Sequence, residues 1–105
     1  MLRLEIHRDG KQSGQFELAG AGCAMILGRG EEADLKIEGD LLLSRKHAEL
    51  LTVTDGVEVK RLPGSSNAIY HEGAPKDHFT VGLGGRFQIG KTVFVVAGNG
   101  AQAKR

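Results

Sequence analysis

The sequence predicts an all-β sandwich, and three observations favour this fold class. Sixteen glycines are spread along the 105 residues, and Asp-Gly, Pro-Gly and Gly-Gly steps separate short apolar runs, as tight turns require. Apolar residues at helical spacing over a window of about eleven positions are missing. Several stretches instead alternate apolar and polar residues, and many short strands of this kind are typical of a sandwich.

The first two strands are predicted on either side of Asp9-Gly10. Apolar and polar residues alternate between positions 2 and 7, so one face of this strand is expected to be buried. An Asp-Gly step favours a tight turn between paired strands. A second strand is therefore expected around Phe16 and Leu18.

The third predicted strand is different in kind. Residues 23–27 form a continuous apolar run, which predicts a strand covered on both faces. We interpret Cys23 as a small buried hydrophobic residue, and because it is the one cysteine of the chain, no intrachain disulfide is possible. The run ends at Gly28-Arg29-Gly30, where small residues allow a sharp change of direction.

The strongest local signal further along the chain is Asp55-Gly56. It is flanked by apolar segments at residues 48–54 and 57–62, and a two-residue Asp-Gly connection predicts a β-hairpin. Short apolar segments between turn residues predict further strands at residues 35–37, 68–71, 79–81, 86–89 and 92–97.

One domain is expected, because 105 residues of which 40% are hydrophobic suffice for a single core. We assign it to residues 1–97 and interpret the small and polar residues 98–105 as a flexible tail or the start of a linker. No segment has the apolar run of a signal peptide or a membrane-spanning helix. With one cysteine and no Cys/His pair at metal-ligand spacing, we expect a soluble cytoplasmic protein without a metal or another cofactor.

The charge balance argues against functions that depend on a strong overall field. Fourteen basic and thirteen acidic residues leave a formal net charge of +1, which is too little to gather nucleic acid or an anionic membrane. Aromatic side chains that could stack on bases are scarce, with no Trp and one Tyr. Any recognition of an anion must therefore be local.

Three polar loops between predicted strands carry groups suited to a local anion site. They contain Gly28-Arg29, Ser44-Arg45-Lys46-His47 and Ser66-Asn67. Catalysis is not expected from them, because Ser44 and His47 lack an orienting third group and the Gly-x-Ser-x-Gly elbow is missing. Nucleotide binding is not expected either, since the glycines do not continue into a phosphate-loop motif. We therefore interpret the loops as a binding site.

The order and spacing of these residues resemble the signature of forkhead-associated domains. Gly28-Arg29 is followed by Ser44-Arg45-x-His47, and Asn67 follows His47 after twenty residues. The pattern closes with Val81, Phe87, Ile89 and Gly90, so the resemblance covers residues 23–97. It implies a sandwich of two twisted antiparallel sheets, with the loops at one end forming a rim that docks a phosphothreonine peptide.

The resemblance implies that Arg29, Ser44 and Arg45 contact the phosphate. A phosphothreonine carries a charge of about −1.5 to −2 and three acceptor oxygens, so its receptor needs a cation and fixed donors. A guanidinium presents paired N–H groups that match a phosphate, and a serine hydroxyl can add a short hydrogen bond. Lys46 is expected to face solvent.

The remaining loop residues are assigned to the peptide and to the shape of the site. Ser66 and Asn67 are expected to bind the phosphopeptide, since an asparagine amide can both donate to and accept from the main chain of an extended peptide. Gly28 and His47 are expected to support the site, His47 through hydrogen bonds to the loop backbone. Ala68 stands where the family commonly has Gly.

The expected function is phosphothreonine-dependent binding of another protein by a non-enzymatic recruitment domain of a larger signalling protein. The partner would be the target of a Ser/Thr kinase. The isolated domain is expected to be a monomer that binds neither nucleic acid nor membrane. The alternative is a phosphate-independent scaffold domain of the same fold, which would bind phosphorylated and unmodified peptides equally.

Overall fold

The computed structural model describes residues 2–18, 20 and 22–98. These residues form eleven strands, and no helix among them could cross a membrane. In chain order the strands are β1 (Leu2–Arg8), β2 (Lys11–Glu17), β3 (Ala24–Gly28), β4 (Leu35–Lys36), β5 (Ala48–Val53), β6 (Gly56–Arg61), β7 (Ile69–His71), β8 (Ala74–Lys76), β9 (His78–Gly82), β10 (Arg86–Ile89) and β11 (Thr92–Gly98). The all-β prediction is confirmed. Strand β11 includes Gly98, and the rest of the predicted tail lies outside the described residues.

The strands form two sheets, as the predicted sandwich requires. A six-stranded sheet has the order β2-β1-β11-β10-β7-β8, and a five-stranded sheet has the order β4-β3-β5-β6-β9. The strand pairs are antiparallel, apart from β3 and β4, which run parallel. Beside this short pair the Asp34 carboxylate accepts the Ile26 N–H at 2.8 Å, so a side chain replaces a strand partner at this edge.

The core lies between the sheets and follows the predicted alternation. Strand β1 buries Leu4 and Ile6 on its inner face. Phe87 and Phe94 of the six-stranded sheet stack with their ring centroids 5.0 Å apart. Phe79 of the five-stranded sheet meets Phe87 edge-on at 5.9 Å. These aromatic contacts join the two sheets.

Two tight turns use a pair of residues in the left-handed region. Asp9 and Gly10 have φ angles of 54° and 78° and connect β1 to β2, as predicted. Glu72 and Gly73 have φ angles of 57° and 81° and connect β7 to β8. Such pairs match the twist of the adjoining strands. Strand β8 is absent from the prediction. It contains Pro75, and the sheet accepts this proline because β8 is an edge strand.

The hairpin at Asp55-Gly56 exists, but its turn lies one residue earlier than predicted. Thr54 and Asp55 form the turn, and Gly56 is the first residue of β6, paired with Val53. Glycine is needed here for a different reason. A Cβ on Gly56 would lie 2.2 Å from the carbonyl oxygen of Val81 in β9, so a larger residue would push β9 away.

The apolar run at residues 23–27 is less covered than predicted. Strand β3 begins at Ala24, which is exposed, and Ile26 is half-buried, whereas Leu27 is fully buried. Strand β3 belongs to one sheet of a two-sheet sandwich, so the other sheet can cover only one of its faces. Cys23 precedes the strand and is exposed, so its interpretation as a buried hydrophobic residue is wrong.

Candidate functional site

Three loops meet at one end of the sandwich, and hydrogen bonds connect them. The loops are the first loop (residues 29–34), the second loop (residues 37–47) and the third loop (residues 62–68). The second loop contacts both of the others. The site is therefore built around it.

The first and second loops are in direct contact at Gly28. The Arg29 N–H donates to the Ser44 carbonyl oxygen and the Gly30 N–H to that of Arg45, both at 3.1 Å. A Cβ on Gly28 would lie 2.1 Å from the Arg45 carbonyl oxygen. Only glycine lets the two loops approach this closely.

His47 joins the second loop to the third. Its ring is fully buried. Nδ1 accepts the Ser44 N–H at 2.9 Å, and Nε2 contacts the Asn67 carbonyl oxygen at 2.8 Å. This pair of contacts fits a neutral imidazole that carries its proton on Nε2 and donates it to Asn67. Burial lowers the pKa of His47 and so favours the neutral form.

Arg29 projects from the first loop with one corner of its guanidinium held in place. Nε donates to the Leu43 carbonyl oxygen at 2.7 Å. The residue is exposed, and within residues 2–18, 20 and 22–98 its two terminal nitrogens have no hydrogen-bond or ion-pair partner. The paired N–H groups are thus available to an anion.

Ser44 and Ser66 meet where the second and third loops touch. The Ser66 N–H donates to Ser44 Oγ at 2.9 Å. Ser44 Oγ is therefore an acceptor in this contact, and its own hydrogen, which has no acceptor among the described residues, can be donated to a ligand. Ser44 is half-buried and Ser66 is exposed, so the hydroxyl can reach a ligand.

Asn67 is held by the second loop. Its Nδ2 donates to the Leu42 carbonyl oxygen at 2.8 Å. Part of the amide thus serves the protein itself, while Oδ1 has no partner among the described residues. Ala68 does not have a positive φ, since Asp9 and Glu72 are the non-glycine residues of the described chain that do. An alanine at this position therefore causes no left-handed strain.

Arg45 and Lys46 extend into solvent beside the loops. Both residues are exposed. Lys46 forms an ion pair with Glu32 at 2.9 Å, which links the first and second loops. Glu32, Arg45 and Lys46 line one shallow depression together with Arg29 and Ser44.

The structure brings the predicted site residues together. These are Gly28, Arg29, Ser44, Arg45, His47, Ser66 and Asn67. Their contacts within the protein are those described above. Their roles toward a phosphopeptide stay predictions.

Asp40 of the second loop has no role in the sequence interpretation, but it is buried and hydrogen-bonded beside the candidate site. Its side chain is buried, with 3% of the residue exposed. The carboxylate accepts the Leu42 N–H at 3.0 Å, the Lys91 N–H at 2.9 Å and the Thr92 hydroxyl at 2.7 Å. Burial alone would raise the pKa of Asp40, but these hydrogen bonds and the charge of Arg8 outweigh it, and the pKa is lowered.

A local signal for Asp40 does exist in the sequence. Gly39 precedes it with a φ of 88°, and an aspartate whose side chain bonds the N–H two residues later forms a common turn. The contacts to residues 91 and 92, however, cross more than fifty positions. No local pattern predicts them.

No protein-family model and no curated protein matches the sequence. Solved structures do match it. The forkhead-associated domain of CT664 from Chlamydia trachomatis superposes with a TM-score of 0.80 at 24% identity, covering 93% of this chain and 97% of that one. The FhaA forkhead-associated domain, solved with the intracellular domain of Rv3910, has a TM-score of 0.76 at 24% identity, covering 91% and 99%.

A third match comes from work on phosphothreonine-dependent interactions of forkhead-associated domains. It has a TM-score of 0.72 at 22% identity and covers 93% of this chain and 96% of that one. The chain therefore has the fold of forkhead-associated domains. This fold agrees with the one that the loop motifs imply.

Proposed function

We propose that this chain, with its forkhead-associated fold, is a module that binds phosphothreonine in a partner protein. The observation that carries the proposal is the Arg29 guanidinium. Leu43 holds it through Nε, while its terminal nitrogens bind nothing else in the described part of the chain. The Ser44 hydroxyl lies on the adjoining loop with a hydrogen to donate. A cation and a neutral donor side by side suit a phosphate monoester.

Hydrogen bonds within the protein hold the donors in place, which favours affinity. The Arg29 and Gly30 N–H groups fix the first loop against the second, and His47 fixes the second against the third. Binding then costs little ordering of the loops. Arg45 adds a second guanidinium at the edge of the site. Because it lies at the surface, its positive charge can attract the phosphate from a distance.

The Asn67 amide supplies a group for the peptide main chain. One of its hydrogens is donated to Leu42, which sets the orientation of the amide. The oxygen and the second hydrogen can pair with an N–H and a C=O of an extended peptide. In this arrangement the phosphate makes binding depend on phosphorylation, and the Asn67 amide aligns the peptide main chain with the site.

The neighbours support a protein partner over a catalysed reaction. One is solved with the intracellular domain of another protein, and another comes from work on phosphothreonine-dependent interactions. We propose that this chain likewise recruits a phosphorylated protein, as the recruitment domain of a larger signalling protein.

The test is a titration with three forms of one peptide. A degenerate phosphothreonine library first selects a sequence, which is then made with phosphothreonine, with threonine and with phosphoserine. Calorimetry should show binding of the phosphothreonine form and a loss of at least about 2 kcal/mol for the threonine form, because a charged guanidinium loses its partner. Equal dissociation constants for these two forms would instead identify a phosphate-independent scaffold.

The phosphoserine form tests the finer specificity. It carries the same charge, so only contacts to the threonine methyl and the stiffer β-branched side chain can distinguish the two ligands. One buried methyl contributes on the order of 0.8 kcal/mol, so phosphothreonine should bind several-fold more tightly. Equal affinity would mean a general phosphate site with no recess for the methyl group.

A further inference from the structure

The second loop is fixed at its start by a buried carboxylate. We call this contact the Asp40 clamp: the Asp40 carboxylate with the Leu42 N–H, the Lys91 N–H and the Thr92 hydroxyl. The clamp ties the second loop to the turn between β10 and β11, which belongs to the six-stranded sheet. A buried carboxylate is costly unless it is hydrogen-bonded, and here both of its oxygens are.

A second layer of contacts surrounds the clamp. Arg8 Nε donates to Thr92 Oγ1 at 3.1 Å, and Arg8 also donates to the Glu38 carbonyl oxygen. Gly90 has a φ of 58°, and a Cβ there would lie 2.6 Å from Leu42 Cβ and 3.0 Å from each Asp40 carboxylate oxygen. A side chain at position 90 would therefore collide with Leu42 and the Asp40 carboxylate.

The residues just after Asp40 hold the proposed binding groups. The Leu42 carbonyl oxygen accepts from the Asn67 amide, and the Leu43 carbonyl oxygen accepts from Arg29 Nε. Leu42 is also bound by the clamp through its N–H. The direction of both carbonyls therefore depends on the backbone that Asp40 fixes.

We propose that Asp40 is a positioning residue of the phosphopeptide site, which aims Arg29 and Asn67 through the Leu42 and Leu43 carbonyls. The proposal rests on the proposed function for its binding consequence. Loss of the clamp should therefore change the positions of Arg29 and Asn67 while the sandwich stays folded. The proposal also pairs Asp40 with His47: one residue fixes each end of the segment that carries Ser44.

The binding test uses three variants. Asp40→Ala removes the clamp, and Thr92→Val removes one of its donors with little change of shape. Val57→Ala is the matched control, because Val57 is fully buried in β6 beside the turn at Thr54-Asp55 and outside the three loops. We expect Asp40→Ala to weaken phosphopeptide binding about tenfold or more, and Thr92→Val less, as for residues coupled through a shared network. Val57→Ala should lower the melting temperature without changing affinity.

A second measurement does not need the ligand. The Arg29 Nε–H donates to the Leu43 carbonyl oxygen, so it should exchange slowly with water, and NMR can follow this proton directly. We expect faster exchange of the Arg29 Nε–H in Asp40→Ala and Thr92→Val and no change in Val57→Ala. If Asp40 only stabilised the fold, the exchange rate of the Arg29 Nε–H would change in Val57→Ala as it does in Asp40→Ala and Thr92→Val.

The outcomes separate the positioning role from the proposed function. Wild-type affinity and unchanged Arg29 exchange in folded Asp40→Ala would overturn the positioning role. If Asp40→Ala does not fold, the same two readouts on Thr92→Val decide. If the wild-type domain binds no phosphopeptide, the proposed function fails, whereas the exchange rates still show whether Asp40 positions Arg29.

Discussion

At the scale of single residues, Arg29 and His47 have opposite environments and opposite tasks. Arg29 is exposed and keeps two nitrogens without a partner in the described chain, whereas His47 is buried and uses both ring nitrogens within the protein. An exposed cation can be removed with little effect on the fold. A buried polar ring cannot, because its partners are left unsatisfied.

The first prediction concerns Arg29. Arg29→Ala should weaken binding of the phosphothreonine peptide by about 2 to 5 kcal/mol, since the phosphate loses a charged donor on a surface that the peptide dehydrates. The melting temperature of Arg29→Ala should stay close to that of the wild type. Calorimetry measures the loss, and Arg86→Ala is the control, because Arg86 is also exposed but lies on β10 outside the three loops. Equal losses in the two variants would remove Arg29 from the site.

The second prediction is a pH dependence that belongs to His47. Burial lowers the pKa of its ring in the folded protein, while the unfolded chain titrates near the ordinary value of about 6.5. Below that pH the unfolded state binds more protons, so the free energy of unfolding should fall as pH falls through 6.5 and level off below the folded pKa. Protonated Nδ1 could no longer accept the Ser44 N–H.

Two variants separate His47 from the other titrating groups. His47→Ala should lower stability at pH 7.5 by about 1 to 3 kcal/mol and should flatten the slope between pH 7 and pH 5. Ser44→Ala keeps the backbone N–H that His47 accepts, so it should cost less stability and retain the slope. Chemical denaturation at several pH values measures both quantities, and a wild-type slope in His47→Ala would contradict the assignment.

At the scale of elements, glycines decide where strands and loops can meet. Gly28 admits the second loop beside β3, and Gly56 admits β9 beside β6. Neither residue has a positive φ. Their requirement for glycine is therefore one of space between segments, which differs from the requirement at Gly10 or Gly73, where the turn itself needs the left-handed conformation.

The third prediction compares two glycines that face each other. Gly56 of β6 pairs with Gly82 of β9. A Cβ on Gly56 would lie 2.2 Å from the Val81 carbonyl oxygen, whereas a Cβ on Gly82 would meet nothing closer than the Asp55 carbonyl oxygen at 3.9 Å. Gly56→Ala should destabilise the domain by about 1 to 3 kcal/mol through strain. Gly82→Ala should be neutral or slightly stabilising, because alanine restricts the unfolded chain. Similar melting temperatures for the two variants would contradict the close approach.

At the scale of the whole molecule, the candidate site draws on both sheets. The first and second loops join strands of the five-stranded sheet, and the third loop crosses from β6 to β7 in the six-stranded sheet. The Asp40 clamp adds a contact to the start of β11. The site therefore exists only when the two sheets are packed, and the ligand should bind the folded state alone.

The fourth prediction follows from this coupling. Phosphopeptide at one hundred times its dissociation constant should raise the free energy of unfolding by about 2.7 kcal/mol, since it binds the folded state only. For a domain of this size that corresponds to a rise in melting temperature of about 10 °C or more. Thermal scans at increasing peptide concentration measure it. The unmodified peptide, or the phosphopeptide with Arg29→Ala, should raise the free energy of unfolding by less than about 1 kcal/mol at the same concentration. An equal rise with the unmodified peptide would favour the scaffold function.

The sequence by itself determined most of the strands, most of the turns and the three loops. Alternation of apolar and polar residues is a local property, so β1 and its turn at Asp9-Gly10 follow directly from it. The three loops likewise follow from the polar residues that lie between the predicted strands. Local signals fail where a residue serves a distant segment.

Only the tertiary structure decided which segments come close. It placed the turn at Thr54-Asp55 and put Gly56 in β6, where Val81 of a third strand leaves no space for a Cβ. It exposed Cys23 because no further strand covers that end of β3. It also gave Asp40 its partners at residues 91 and 92. The physical reason is the same in each case. Close approach and burial arise between segments far apart in the chain, and local sequence patterns do not predict which of these segments will be in contact.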